Sequence, residues 1–203
     1  MVDLFSEKAK SWDQDDFKTR MSRAISTTML SHIDFNADMD VMDFGAGTGL
    51  IAAHLAPKVA HISAVDVSQA MLDRLAAKPD LQGKVDTLCH DIMEAPLQRK
   101  FDVIVSAMAM HHVADTDKLI ETFAAHLKDG GQVALADLDR EDGTFHPPGT
   151  EGVYHAGFAR NELQQQLNKH GISAVQFVTA YTVERSGKTF PIFLVLGKKT
   201  VTA

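Results

Sequence analysis

The sequence predicts an α/β fold, a mostly parallel sheet with helices on both faces. Short apolar runs alternate with helical segments along most of the chain, as in layered α/β domains. Phe101–Ser106 reads as one apolar run, which suits a parallel strand covered on both faces. The first strand-like run, Asp40–Phe44, ends in glycines and then a helical pattern, the arrangement that places a ligand at the carboxyl edge of such a sheet.

Composition bounds the rest. At 203 residues the chain is long enough for one domain with a sizeable core. The formal net charge of -7 argues against wrapping nucleic acid, which needs a surplus of Lys and Arg. The single cysteine, Cys89, excludes an intrachain disulfide or a multi-cysteine zinc site and fits a reducing compartment. Met1–Lys10 has no signal-like apolar run, and no stretch has the length of a membrane span. The expectation is a soluble, cytoplasmic protein that does not touch membranes; oligomeric state is not legible.

Residues 1–35 read as a helical segment, with Phe5, Ala9 and Trp12, then Phe17, Met21, Ala24, Ile25 and Thr28, at helical spacing. Residues 36–203 read as the main domain. Its first strand is Asp40–Phe44. A helix on Leu50, Ile51, His54 and Leu55 leads to strand Ala60–Val65. Ser68 can cap a helix carrying Met71, Leu72 and Leu75. Val85–Leu88 and Phe101–Ser106 follow as strands three and four, with helices expected to alternate through the first five. Asp115 can cap a helix on Leu119, Ile120, Phe123 and Leu127, ended by Gly130–Gly131. Val133–Ala136 is the fifth strand. A polar loop from Asp137 to Gly157 precedes a helix near Glu162–His170, where Ala159 holds the usual cap place, so the cap shifts to Asn161 or is lost. Ala174–Thr179 and Phe190–Leu196 should form a closing hairpin around Glu184–Lys188, giving seven strands in all.

The glycine loop Gly45-Ala46-Gly47-Thr48-Gly49 carries the sharpest signal. Its glycines allow a tight turn and close backbone approach to a ligand, next to a helix N-terminus. Dinucleotide enzymes use G-x-G-x-x-G for a pyrophosphate. Here the third glycine comes one position early, and Asp43 precedes the loop. A carboxylate there would repel a pyrophosphate and favour a ligand with an ammonium group.

Asp43-Phe44-Gly45-Ala46-Gly47-Thr48-Gly49, Val65-Asp66-Val67-Ser68, His90-Asp91-Ile92, Phe101–Ser106 running on to His111-His112-Val113, and Leu127–Gly131 stand in an order that resembles class I S-adenosylmethionine-dependent methyltransferases. The likeness extends to the small ubiquinone/menaquinone-methyltransferase-like subgroup. It implies a Rossmann-like seven-stranded sheet with the last strand antiparallel. It implies S-adenosylmethionine as cofactor, held by Asp43, Gly45, Ala46, Gly47, Gly49, Asp66, Val67, Asp91, Ile92, Ala107 and Trp12. In the family Asp66 would take both ribose hydroxyls, Asp91 the adenine amino group, and Ile92 would cover the adenine face. Trp12, with Phe5, Phe17 and Arg20, either forms a lid over the cofactor or merely packs on the sheet edge.

Methyl transfer needs mainly alignment, and a base only where the nucleophile is protonated. His111 and His112 follow strand four and are candidates for base or substrate contact; a structural role competes. His146 and His155 stand in the tract Asp137–Phe158, which packs four acids near two histidines. That tract lines a substrate pocket, holds a divalent metal, or is a solvated loop; no metal ligand is assigned. The run Ser106-Ala107-Met108-Ala109 lacks the Asn/Asp-Pro-Pro-aromatic motif of amino-methylating nucleic-acid enzymes, and Cys89 is misplaced for a cytosine-5 nucleophile. What remains is a methyltransferase acting on a small molecule. The rivals are a nicotinamide dehydrogenase and a methyltransferase-like protein that binds without turnover or performs other chemistry.

Overall fold

The computed structural model describes residues 3–201. The N-terminal segment holds α1 (Ser6–Ala9), a tight turn at Trp12–Gln14 and α2 (Asp16–His32), whose N-cap Asp15 accepts from the Phe17 and Lys18 amides. The domain continues β1 (Asp40–Phe44), α3 (Leu50–Leu55), β2 (His61–Asp66), α4 (Gln69–Ala76), β3 (Val85–Cys89) and β4 (Phe101–Ala107). It ends with α5 (Thr116–His126), β5 (Leu127–Leu138), α6 (Arg160–Lys169), β6 (Ile172–Arg185) and β7 (Lys188–Lys199).

The seven strands lie in the order β3-β2-β1-β4-β5-β7-β6. Only β7 runs against its neighbours, β5 and β6. The predicted fold class is therefore borne out. Side-chain alternation along β1 assigns the two faces. Val41 joins Ile25, Met29, Leu55 and Leu72 under α2, α3 and α4. Met42 joins Leu119, Phe123, Leu163 and Leu167 under α5 and α6. Ser68 caps α4 by accepting from the Met71 amide, and Asp115 caps α5 by accepting from Lys118, as expected.

Three local expectations are corrected. No helix joins β3 to β4. Residues 90–100 contain Pro96 and are tied down by contacts that compete with a helix: Asp91 Oδ1 accepts from the Met93 amide, and the Leu97 amide donates to His126 Nε2. Helix α5 ends at His126, and Gly130–Gly131 lie inside β5. Gly131 is needed there because a Cβ would sit 2.9 Å from the Lys128 carbonyl and 3.1 Å from that of Asp102. Both closing strands are longer than predicted, since a two-residue turn at Ser186–Gly187 lets them pair up to Arg185 and Lys188. Helix α6 has no side-chain cap at Ala159, the second of the two predicted outcomes.

β1 and β4 are the switch point of this sheet: from them the order runs to β2 and β3 on one side and to β5 on the other. Ligands of open α/β sheets bind in the crevice at such a point.

Candidate active site

The three loop glycines have left-handed backbone for different reasons. Gly45 packs against the β4 exit, where an added Cβ would lie 2.3 Å from that of Ala109. Gly49 starts α3 and packs on Leu75, 2.6 Å from an added Cβ. At Gly47 an added Cβ would meet no protein atom within 4 Å. Its backbone opens onto a cavity of about 500 Å³ at the carboxyl edge of the sheet.

Gly45, Ala46, Gly47, Asp66, Val67, Asp91, Ala107 and Trp12 all line this cavity. Asp66 Oδ2 accepts from the Gly47 amide and Oδ1 from the Ser68 amide, both at 2.8 Å. Burial pushes its carboxyl up, against the Ser68, Gly47 and Val67 amides. Each carboxylate oxygen can accept a second bond, so Asp66 retains capacity for a ligand's hydroxyls. Met108, at the β4 exit, holds a φ of 57°, an uncommon conformation for a side-chain-bearing residue and one that clusters at ligand sites.

The structure does not bring three assigned cofactor contacts to the cavity wall. Gly49 is packed inside. Ile92 is buried in the core beneath α5. Asp43 is buried behind the loop, with Oδ2 bonded to nothing among the described residues. Burial and then the Asp66 carboxylate push its pKa up to about 8, with the Ala52 amide opposing.

The N-terminal segment is pinned alongside the cavity. Asp3 accepts from the Ser68 hydroxyl at 2.8 Å. Asp13 accepts from the Thr48 hydroxyl and pairs with Lys78. Phe5 and Trp12 line the cavity, and the Lys18 ammonium lies 4.1 Å from the Trp12 ring centre. Phe17 instead packs against the core, and Arg20 is exposed. Asp3 and Asp13 are not legible as site residues in the sequence: each acts through a partner far along the chain, Ser68 and Thr48.

At the other end lie the histidines. His111 and Asp137 are both fully buried, with Nδ1 2.7 Å from Oδ1. Burial pulls the imidazole down, but Asp137 more than restores it, so its pKa is raised. His112 lines the cavity, its Nδ1 2.6 Å from the Gly152 carbonyl oxygen. Burial, then neighbouring His111, pull it down to about 4. The His146 ring is 5.0 Å from that of His111, and burial, His111 and His112 pull it down to about 4 as well. His155 is tied by Nε2 to the Val113 carbonyl at 2.9 Å, which anchors the loop. His146, His155 and Tyr154 line a second cavity of about 260 Å³.

The acids of this tract have their own partners. Asp137 holds His111, and Asp139 takes a two-pronged bond from Arg160. Glu141 accepts from the Thr144 and Phe145 amides, and Asp142 pairs with Lys188. Among the described residues no group of three His, Cys, Asp or Glu is arranged to hold a metal ion. The metal reading of the tract therefore gains no support. No described helix is long and apolar enough to cross a membrane.

Residues 14–185 match the family model described as a methyltransferase domain. The chain belongs to that family. This membership carries S-adenosylmethionine as its cofactor, and it decides between the methyltransferase and dehydrogenase readings. An uncharacterized methyltransferase of Schizosaccharomyces pombe is 34% identical over 118 residues, 53% of this methyltransferase chain and 42% of that protein. A ubiquinone biosynthesis O-methyltransferase of Coxiella burnetii is 28% identical over 142 residues, 67% of this chain and 60% of that protein. The chain thus spans less than two thirds of either relative. A solved S-adenosylmethionine-dependent methyltransferase of Clostridium acetobutylicum superposes with a TM-score of 0.69 at 20% identity, covering 97% and 98% of the two chains. At that identity the likeness shows the fold.

Proposed function

We propose that this methyltransferase transfers a methyl group from S-adenosylmethionine to a small-molecule acceptor. The observation that carries the reading is the open cradle at Gly47, beside the carboxylates of Asp66 and Asp91 on one cavity wall. Asp66 takes the ribose hydroxyls, Asp91 the adenine amino group, and the Gly45–Gly47 backbone the amino-acid end. Val67 and Ala107 supply apolar wall. Asp43 and Gly49 shape the loop from behind, and Ile92 supports the adenine side from the core. The bound cofactor supplies the methyl group, and the protein's part is to hold it and the acceptor in line.

Residues 1–35 serve as a lid: Trp12 and Phe5 cover the cavity, fixed by Asp3 and Asp13, and so exclude water. A cavity of about 500 Å³ is of the size that takes small ligands. The Coxiella relative, a ubiquinone biosynthesis O-methyltransferase, points the same way. His112 faces the acceptor, while His111, His146 and His155 hold the wall behind it.

Calorimetry with S-adenosylhomocysteine, run beside NAD, tests this reading. Binding of S-adenosylhomocysteine alone is expected. Binding of NAD alone would overturn it. If S-adenosylhomocysteine binds but no acceptor is methylated, the protein is a binding module or performs other chemistry.

A further inference from the structure

The two adjacent histidines after β4 are oriented in opposite ways. His111 is buried, with Nδ1 on Asp137 Oδ1 and its backbone amide donating to Oδ2 at 3.2 Å. Its Nε2 is closed off and bonded to nothing among the described residues. His112 faces the larger cavity. Its Nδ1 lies 2.6 Å from the Gly152 carbonyl oxygen, and a carbonyl only accepts. Nδ1 therefore carries the hydrogen, and Nε2 of the neutral ring presents a lone pair. Unlike Nε2 of His111 and of His146, that atom is not among the sealed ones.

The surroundings of His112 are aromatic and apolar. The Phe5 ring meets it edge-on at 5.2 Å, and Tyr154, Met108 and Val113 line the same cavity. Such walls fit the flat body of an apolar molecule. The charged and titratable groups that act on His112 are His111, Asp137 and Lys8, with His146 6.2 Å away, ring to ring. Burial and the neighbouring His111 keep the ring neutral at neutral pH.

We propose that His112 Nε2 takes the proton of a hydroxyl-bearing acceptor, a phenol or enol with a flat apolar body. This deepens the methyl-transfer reading and rests on it. As the acceptor oxygen bonds to carbon through a lone pair, its O–H bond breaks, the electron pair stays on oxygen and the proton moves to Nε2. The methyl group comes from the cofactor, whose sulfur keeps the electrons of the bond it loses. The His112 imidazolium then returns its proton to water.

The experiment uses full-length protein with 15N-labelled histidine, loaded with S-adenosylhomocysteine, and 2-naphthol as the probe. Nitrogen NMR should find His112 in the Nδ1–H form, and saturating 2-naphthol should move its Nε2 resonance. His112→Asn should weaken 2-naphthol binding about tenfold or more, the loss of one good hydrogen bond, with S-adenosylhomocysteine affinity kept within about threefold. His112→Gln serves if the Asn variant does not fold. An Nε2–H tautomer in the wild type overturns the proposal. So does an unmoved Nε2 resonance, failure of 2-naphthol to bind, or wild-type affinity in the variant. If the wild type does not bind S-adenosylhomocysteine, the methyl-transfer reading falls first and takes the proposal with it.

Discussion

At the glycine-loop end of the large cavity, the functional side chains are held by nearby backbone. Asp66 accepts from amides 2 and 19 residues away, and Asp91 from one 2 residues on. At the histidine end the spans are longer: 26 residues from His111 to Asp137, 40 from His112 to Gly152, and 42 from Val113 to His155. The first end assembles wherever two parallel strands and their turns form. The second exists only while the loop from Asp139 to Gly157 stays docked on β4 and β5. Damage to one end should therefore leave the other working, and five substitutions can break or sharpen that contrast.

The largest effect is expected at His111. His111→Ala leaves the fully buried Asp137 carboxylate without its partner, which costs about 3–5 kcal/mol. Urea unfolding reads this as a lowered midpoint, and the protein that remains folded should still bind S-adenosylhomocysteine. The pH dependence has a definite sign. The folded pKa of His111 is raised, so its charge adds stability below the unfolded value near 6.5, and that part is lost as pH rises through the folded value. The gap between wild type and variant should narrow toward alkaline pH. An unchanged midpoint would remove the buried pair as the strut of this end.

Next comes Asp66→Ala at the glycine-loop end. A charged acceptor loses its ligand bonds, worth about 2–4 kcal/mol, roughly a 30- to 1,000-fold loss of S-adenosylhomocysteine affinity by calorimetry. Wild-type affinity in this variant would mean that the carboxylate serves only the Gly47 and Ser68 amides.

The same difference in range explains what was legible beforehand. Asp66 and Asp91 stand at strand ends within motifs a few residues long, so their placement followed from local pattern. The role of Asp137 did not. It stood in a tract of acids whose partners, His111, Arg160 and Lys188, come from three other elements. The metal reading of that tract rests on acids and histidines close together in sequence, where those partners are invisible. The helix between β3 and β4 was expected from the alternation of elements, and a side chain from α5, His126, took the amide that such a helix would have needed. Asp43 shows the limit on the local side: the motif located it, but only the packing put its carboxyl behind the loop.

Gly47→Ala should separate packing from binding within one end. A left-handed alanine costs about 1 kcal/mol of stability, and the added methyl meets no protein atom. It does enter the cavity, so S-adenosylhomocysteine affinity should fall about tenfold while the unfolding midpoint moves little. A lost midpoint with retained affinity would mean that this glycine serves the loop and not the ligand.

The smallest effect is expected at the latch, where the N-terminal segment crosses from one end of the cavity to the other. Asp13 bonds the Thr48 hydroxyl and the Lys78 ammonium. Both contacts are partly solvated, so Asp13→Ala should cost about 0.5–1.5 kcal/mol. Phe5 and Trp12 still cover the cavity in the variant, and Asp3 still holds Ser68. The loss should therefore appear as faster release of S-adenosylhomocysteine, about threefold to tenfold in stopped flow, with little change in the association rate. Lys78→Ala, which keeps the Thr48 bond, should give less. A release rate unchanged in both variants would make the segment a fixed part of the sheet edge rather than a lid, and the two ends of the cavity would then be coupled by nothing but the sheet between them.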